Sequence, residues 1–129
     1  MPETIKATLK AWRVLIVEDN ALIGTLYADF LAEMGHSVCA IAATEAEAVA
    51  EAAQCKPDLM IVDAVLMEGS GVAAIDEILR SGFIPHVFIS GNAASVRALR
   101  PGAIVLQKPF RNPELSNAIQ RALTLVPQT

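Results

Sequence analysis

The stretch Val14-Leu15-Ile16-Val17-Glu18-Asp19-Asn20 decides how this chain is read. Four apolar, largely β-branched residues in succession suit a strand covered on both faces, as in the middle of a parallel sheet. The run stops at two carboxylates, and beyond Asn20 the period changes. Leu22, Ile23, Leu26, Phe30, Leu31 and Met34 recur at helical spacing, and Gly35 is a natural stop.

The same alternation continues outward from that unit. Ser37 to Ile41 reads as a second strand, and Thr44 with Glu47 forms a capping box that opens an Ala/Glu-rich helix ending near Cys55, ahead of Pro57. Leu59-Met60-Ile61-Val62 is a third apolar strand, which ends at Asp63. A loop with Glu68, Gly69 and Gly71 leads into a helix carrying Val72, Ile75, Ile78 and Leu79, closed by Gly82. His86 to Ile89 is a fourth strand, followed by the turn Ser90-Gly91-Asn92 and room for only a short helix before Pro101. Ala103 to Leu106 makes a fifth strand, and Asn112 or Pro113 opens a last helix with Leu115, Ile119, Ala122 and Leu123 inward. Five strand–helix units in this order imply an α/β fold, a parallel sheet with helices on both faces. No internal repeat, low-complexity tract or linker interrupts it, so residues 1–129 are expected to form a single domain.

Composition agrees with a compact domain. The chain has 129 residues, 53% hydrophobic and 19% charged, which is outside the disordered range. No apolar run approaches the roughly 20 residues needed to span a bilayer, and Met1 to Lys10 lacks the apolar stretch of a signal peptide. Cys39 and Cys55 lack metal-site spacing and read as free, buried thiols of a cytoplasmic protein. The net charge of −4 conceals a division: residues 1–79 hold 13 acids against 4 bases, residues 80–129 one acid against 6 bases. Such asymmetry marks either a partner-binding surface or two halves that folding interleaves. No basic stripe with interleaved aromatics is present, so direct DNA binding is not expected.

In open parallel sheets, ligands bind beyond the carboxyl ends of the strands. The first strand delivers Glu18 and Asp19 there, the third Asp63, the fourth Ser90 and the fifth Lys108. Each alone has a bland explanation: a charge at a helix N-terminus, a turn residue, a solvated lysine. Together they put three carboxylates, a hydroxyl and an ammonium on one rim. Three crowded carboxylates repel unless a cation or protons neutralise them, and oxygen-only ligands suit Mg²⁺ better than zinc. A metal and a lysine beside a carboxylate can hold a phosphoryl group on it.

The segments Val14 to Asn20, Leu59 to Asp63 with Gly71 eight residues on, Ile89-Ser90-Gly91 and Lys108-Pro109-Phe110 resemble the signatures of receiver domains of two-component response regulators. The likeness extends over about residues 13–126. It implies a flavodoxin-like, doubly wound, five-stranded parallel sheet of order 2-1-3-4-5 with five helices. It implies that Glu18 and Asp19 hold Mg²⁺, that Asp63 is phosphoacceptor and metal ligand, and that Val65 lends its backbone carbonyl to the metal. Ser90 would bond the phosphoryl group, Lys108 would pair with it, and the Lys108–Pro109 peptide would be cis. The phosphoryl donor would be a sensor histidine kinase or a histidine phosphotransfer protein, and the signal would leave by protein–protein contact to an unknown target. The chain would be no enzyme beyond catalysing its own phosphorylation and dephosphorylation, and a stand-alone cytoplasmic regulator is the favoured form.

Two positions depart from that pattern. Four residues after the phosphoacceptor, where the family commonly has proline, stands Met67, then Glu68, so the loop is expected to be more mobile. Three residues before the lysine, where the family commonly has an aromatic switch residue, stands Val105. Ser90 and Lys108 lie only 18 residues apart, hence the short fourth helix, near which Arg97, Arg100 and Arg111 could meet an acidic partner or solvent. His36 and His86 read as structural or surface residues, and Trp12 as a packing residue. Among rival classes, a haloacid-dehalogenase-type enzyme needs a second Asp where this chain has Val65. A flavin-binding protein needs a Ser/Thr/Gly-rich turn where it has Glu18-Asp19. A degenerate receiver that only binds protein is opposed by the intact set of polar strand-end residues.

Overall fold

A computed structural model describes residues 11–125, so Met1 to Lys10 and the expected boundary near Val126 lie outside the described residues. In chain order the elements are β1 (Arg13–Val17), α1 (Ala21–Glu33), β2 (Ser37–Ala42), α2 (Glu45–Cys55) and β3 (Leu59–Asp63). They continue with α3 (Gly71–Leu79), β4 (His86–Ser90), α4 (Ala93–Leu99), β5 (Val105–Gln107) and α5 (Asn112–Thr124). The strands pair in parallel in the order β2-β1-β3-β4-β5, as the resemblance implies.

Strand parity divides the core into two layers. Leu15, Val17, Met60, Val62, Phe88 and Val105 face one way, against Ala48 and Ala52 of α2, Ala74, Ile75 and Ile78 of α3, and Val96 of α4. Val14, Ile16, Leu59, Ile61, Val87 and Ile89 face the other way, against Leu31 of α1 and Leu115, Ala118, Ile119 and Ala122 of α5. Every residue of β3 is buried, which is what a central strand with helices on both faces requires.

Register brings the strand ends level. Val17 pairs with Ala42 and Val62, Asp63 with Ile89, and Ser90 with Gln107, so the residues that follow each apolar run emerge at one rim. Helices α1 to α4 start there with side-chain caps. Asn20 Oδ1 accepts from Ile23 N, Thr44 Oγ1 from Glu47 N, Ser70 Oγ from Val72 N and Ala73 N, and Asn92 Oδ1 from Ser95 N. Glu47 completes the expected box by accepting from the Ala43 amide at 2.8 Å, one residue earlier than the cap itself.

Three expectations shift. β5 begins at Val105 rather than Ala103: Pro101 and Gly102 (φ +92°) form a turn, and Ala103 and Ile104 lead out of it before the strand. On α1, Leu31 is buried but Leu22 and Leu26 are 70% and 57% exposed, so their helical spacing marks an outward apolar stripe. Cys39 and Cys55 are free but only half-buried, and burial followed by contact with the Cys55 thiol pushes Cys39 up to about 12. His36 and His86 are structural: His36 Nδ1 accepts from Trp12 N at 3.2 Å, while His86 bonds Ile84 O at 2.8 Å beside Phe83 and Phe88.

Candidate functional site

Among the described residues, the buried polar or charged side chains are Glu18, Asp63 and Ser90, at 2%, 6% and 3% exposure. A fold this small does not bury two carboxylates and a hydroxyl without a use for them. All three belong to the group anticipated at the strand ends.

Asp63, the last residue of β3, divides its carboxylate between two partners. Oδ1 accepts from Val65 N at 3.1 Å, and Oδ2 takes the Lys108 ammonium at 2.8 Å. Lys108 follows β5, its amide donates to Ser90 O at 2.8 Å, and its peptide bond to Pro109 is cis, as the resemblance implies. Ser90 Oγ accepts from Asn92 N at 2.9 Å, which leaves the hydroxyl proton to be donated elsewhere. The bland readings of Asp63 and Ser90 as turn residues are therefore also true; each residue shapes its own loop while presenting a second polar atom.

The acidic side of the site is Glu18, Asp19 and Asp63, each of which offers a carboxylate oxygen within 4.8 Å of the others. Glu18 Oε2 accepts from Asn20 N at 3.0 Å, but Oε1 is buried with no hydrogen-bond partner. Burial pushes the Glu18 carboxyl up to about 7, and the neighbouring Asp63 and Asp19 carboxylates push it the same way. Burial, and after it the Glu18 and Asp63 carboxylates, lift Tyr27 of α1 to about 12. An orphaned carboxylate oxygen in an all-oxygen cluster fits a hard divalent cation, Mg²⁺ before zinc. Glu18, Asp19 and Asp63 would hold it. Val65 has an exposed side chain and turns through an isolated bridge to Ser70, so only its backbone is of use to the site.

Three hydrogen bonds tie the loop after Asp63 to its neighbours. Met67 N donates to Asp19 Oδ2 at 2.7 Å, Ser70 N to Glu45 Oε1 at 3.0 Å, and Glu45 N to Glu68 O at 3.2 Å. Where the family commonly has proline, Met67 thus keeps and uses an amide that proline lacks. Val105 is 8% exposed, lies opposite Phe88 and carries no aromatic ring. Next to it Gln107 makes a triple contact that the sequence did not suggest. Its Oε1 accepts from Ala93 N at 2.9 Å, and its Nε2 donates to Gly91 O at 2.7 Å and Lys108 O at 3.0 Å. Of the three arginines, Arg100 binds both carboxylate oxygens of Asp76, Arg97 reaches Val105 O, and the Arg111 amide donates to the Glu114 carboxylate that caps α5. Arg97 and Arg100 thus fasten α4 and its C-terminal end to β5 and α3, while Arg111 belongs to the start of α5.

Comparison with known proteins agrees with the geometry. The sequence matches the response regulator receiver domain over residues 14–120. It is 33% identical over 117 residues to the phyllosphere-induced regulator PhyR of Methylorubrum extorquens, covering 88% of this chain and 44% of that protein. It is 36% identical over 116 residues to the transcriptional regulatory protein PdtaR of Mycobacterium tuberculosis, covering 87% of this chain and 57% of the other. The solution structure of the Erythrobacter litoralis PhyR receiver domain superposes with a TM-score of 0.85 at 29% identity, covering 95% of this chain and 98% of that domain. The chain thus spans about half the length of these curated relatives.

Proposed function

Because this chain belongs to the response regulator receiver domain family, we propose that Asp63 is its phosphoacceptor in a two-component or phosphorelay pathway. The observation that carries the reading is the burial of Glu18, Asp63 and Ser90 together, with Lys108 on Asp63 Oδ2. The donor is a phosphohistidine on a sensor kinase or phosphotransfer protein. The Asp63 carboxylate attacks phosphorus in line, the bond from phosphorus to the imidazole nitrogen breaks as the acyl phosphate bond forms, and the imidazole leaves.

The residues of the chain supply positioning and charge. Val65 N holds Asp63 Oδ1, which fixes the plane of the carboxylate. Lys108 already faces Oδ2 and is placed to follow the charge onto the phosphoryl oxygens. The free proton of Ser90 is donated to another of those oxygens. Mg²⁺ held by Glu18, Asp19, Asp63 and the Val65 carbonyl would neutralise negative charge shared between phosphoryl and carboxylate. The later hydrolysis of the acyl phosphate uses water against the same groups, so the chain turns over only its own modification. Among the described residues no helix is long and apolar enough to cross a membrane, and output is proposed to pass by contact with a protein rather than with DNA.

The test is intact mass spectrometry after incubation with Mg²⁺ and a small-molecule phosphodonor such as acetyl phosphate. A single phosphoryl adduct on the native chain, absent from Asp63→Asn and absent without Mg²⁺, is expected. No adduct from that donor or from a histidine kinase would remove the proposal.

A further inference from the structure

The loop between β3 and α3 makes contacts with the acidic site that the phosphoacceptor chemistry does not explain. Asp19 Oδ2 accepts from Met67 N at 2.7 Å, while the Met67 side chain is 88% exposed. Whatever Met67 does is therefore done by its backbone. One and three residues on, the loop is fastened to α2: Glu45 N donates to Glu68 O at 3.2 Å, and Glu45 Oε1 accepts from Ser70 N at 3.0 Å. Between those ties Gly69 has φ +86°, and a Cβ there would lie 2.5 Å from Glu45 Cβ, so the close approach needs glycine. The segment from Met67 to Ser70 is anchored at one end by α2 and grips a carboxylate at the other.

We propose that this loop is a strap that positions Asp19 as a metal ligand, with the Met67 amide as its grip and Glu45 as its anchor. The inference rests on the reading of Glu18, Asp19 and Asp63 as a Mg²⁺ site. A carboxylate on a loop that follows a strand has two side-chain torsions to lose on binding a cation. The Met67 amide fixes one oxygen of Asp19, which removes that freedom beforehand and leaves the other oxygen for the cation. Partners of this kind around a ligating carboxylate change metal affinity by about tenfold or more. Asp19 is a metal-facing residue, Met67 and Glu45 are positioning residues.

Isothermal titration of the native chain and three variants with Mg²⁺ alone provides the test, with no phosphodonor present. Met67→Ala keeps the amide and loses only an exposed side chain, so its dissociation constant should match the native value. Met67→Pro removes the N–H and should raise the constant about tenfold. Glu45→Ala leaves every proposed ligand in place, frees the anchor, and should raise it roughly threefold, the worth of part of one hydrogen bond. A purely structural role would lower the melting temperature in EDTA while leaving the Mg²⁺ constant alone. Should Met67→Pro fail to fold, Glu45→Ala and the hydrogen exchange of the Met67 amide, slow in the metal-free native chain and fast in Asp19→Ala, decide the matter. Unchanged or tighter Mg²⁺ binding in Met67→Pro, or an equal loss in Met67→Ala, overturns the strap while the native site stands. A native chain that binds no Mg²⁺ overturns the site reading and the strap with it.

Discussion

Gly71→Ala sets the packing behind Asp63 against the chemistry in front of it. A Cβ on Gly71 would stand 1.9 Å from the Asp63 carbonyl oxygen, 2.9 Å from its carbonyl carbon and 2.8 Å from Val62 Cγ1. Contacts below 3.0 Å are essentially absent from real structures, and two of these atoms are backbone. No rotamer change relieves the overlap, so β3 and the start of α3 must part by about an ångström. Overpacking of that kind costs about 3 kcal/mol, the upper part of its usual range. For a domain of this size the loss appears as a fall in Tm of roughly 10 °C. The same ångström moves the Asp63 carboxylate relative to Lys108 and Ser90, and misplacement on that scale slows a positioned reaction ~100-fold. Thermal unfolding by circular dichroism and single-turnover phosphorylation by acetyl phosphate read the two effects. Gly91→Ala is the control, because a Cβ there meets nothing within 4 Å and the residue has no positive φ. A Gly71→Ala protein that melts and phosphorylates like the native chain would refute the placement of α3 against Asp63.

Two further outcomes follow from the site. Gln107→Leu leaves Ala93 N and the Gly91 and Lys108 carbonyls without the amide that joins them. Amide exchange at Ala93 should quicken about tenfold, corresponding to roughly 1.4 kcal/mol of local opening, and exchange unchanged there would show that Gln107 couples nothing. Glu18 gives the pH dependence. Its folded pKa of about 7 lies above the ordinary 4.5, so between those values the folded chain holds a proton that the unfolded chain has released. The metal-free protein should therefore lose stability as pH rises from about 4.5 to 7, whereas Mg²⁺ binding should strengthen over that window and release a proton. Titrations at pH 6 in two buffers of different ionisation enthalpy measure the release, and none would contradict the assignment of Glu18 as a ligand.

Much of the architecture was legible because each strand is a short apolar run and each following helix has its own cap. Thr44 marks the opening of α2 where the period changes, while the structure adds Ser70 and Asn92 as caps in stretches that read only as loop and turn. The strand-end residues Glu18, Asp63, Ser90 and Lys108 were legible as a group because a parallel sheet aligns its carboxyl ends. What stayed hidden lies in contacts between residues far apart in sequence. Glu45 reads as an ordinary acid in a first helical turn, and nothing local says that it reaches Ser70, 25 positions on. Met67 reads as a missing proline, whereas its significance is the amide that proline would have lacked. Gln107 reads as a polar residue at a strand end, and its three partners emerge only once β4 and β5 pair. Arg97, Arg100 and Arg111 read as a charged patch, yet the Arg97 guanidinium reaches Val105 O and that of Arg100 binds Asp76, while Arg111 meets Glu114 through its backbone amide.

The most direct test of the central claim is the location of the phosphoryl group. An acyl phosphate on aspartate is reduced by borohydride to homoserine, so the modified residue can be read from fragment masses of a peptide containing Asp63. The native chain, phosphorylated with Mg²⁺ and acetyl phosphate and then reduced, should carry homoserine at position 63 and aspartate at every other aspartate position. Homoserine at Asp19 or Asp58, with position 63 unmodified, would contradict the account.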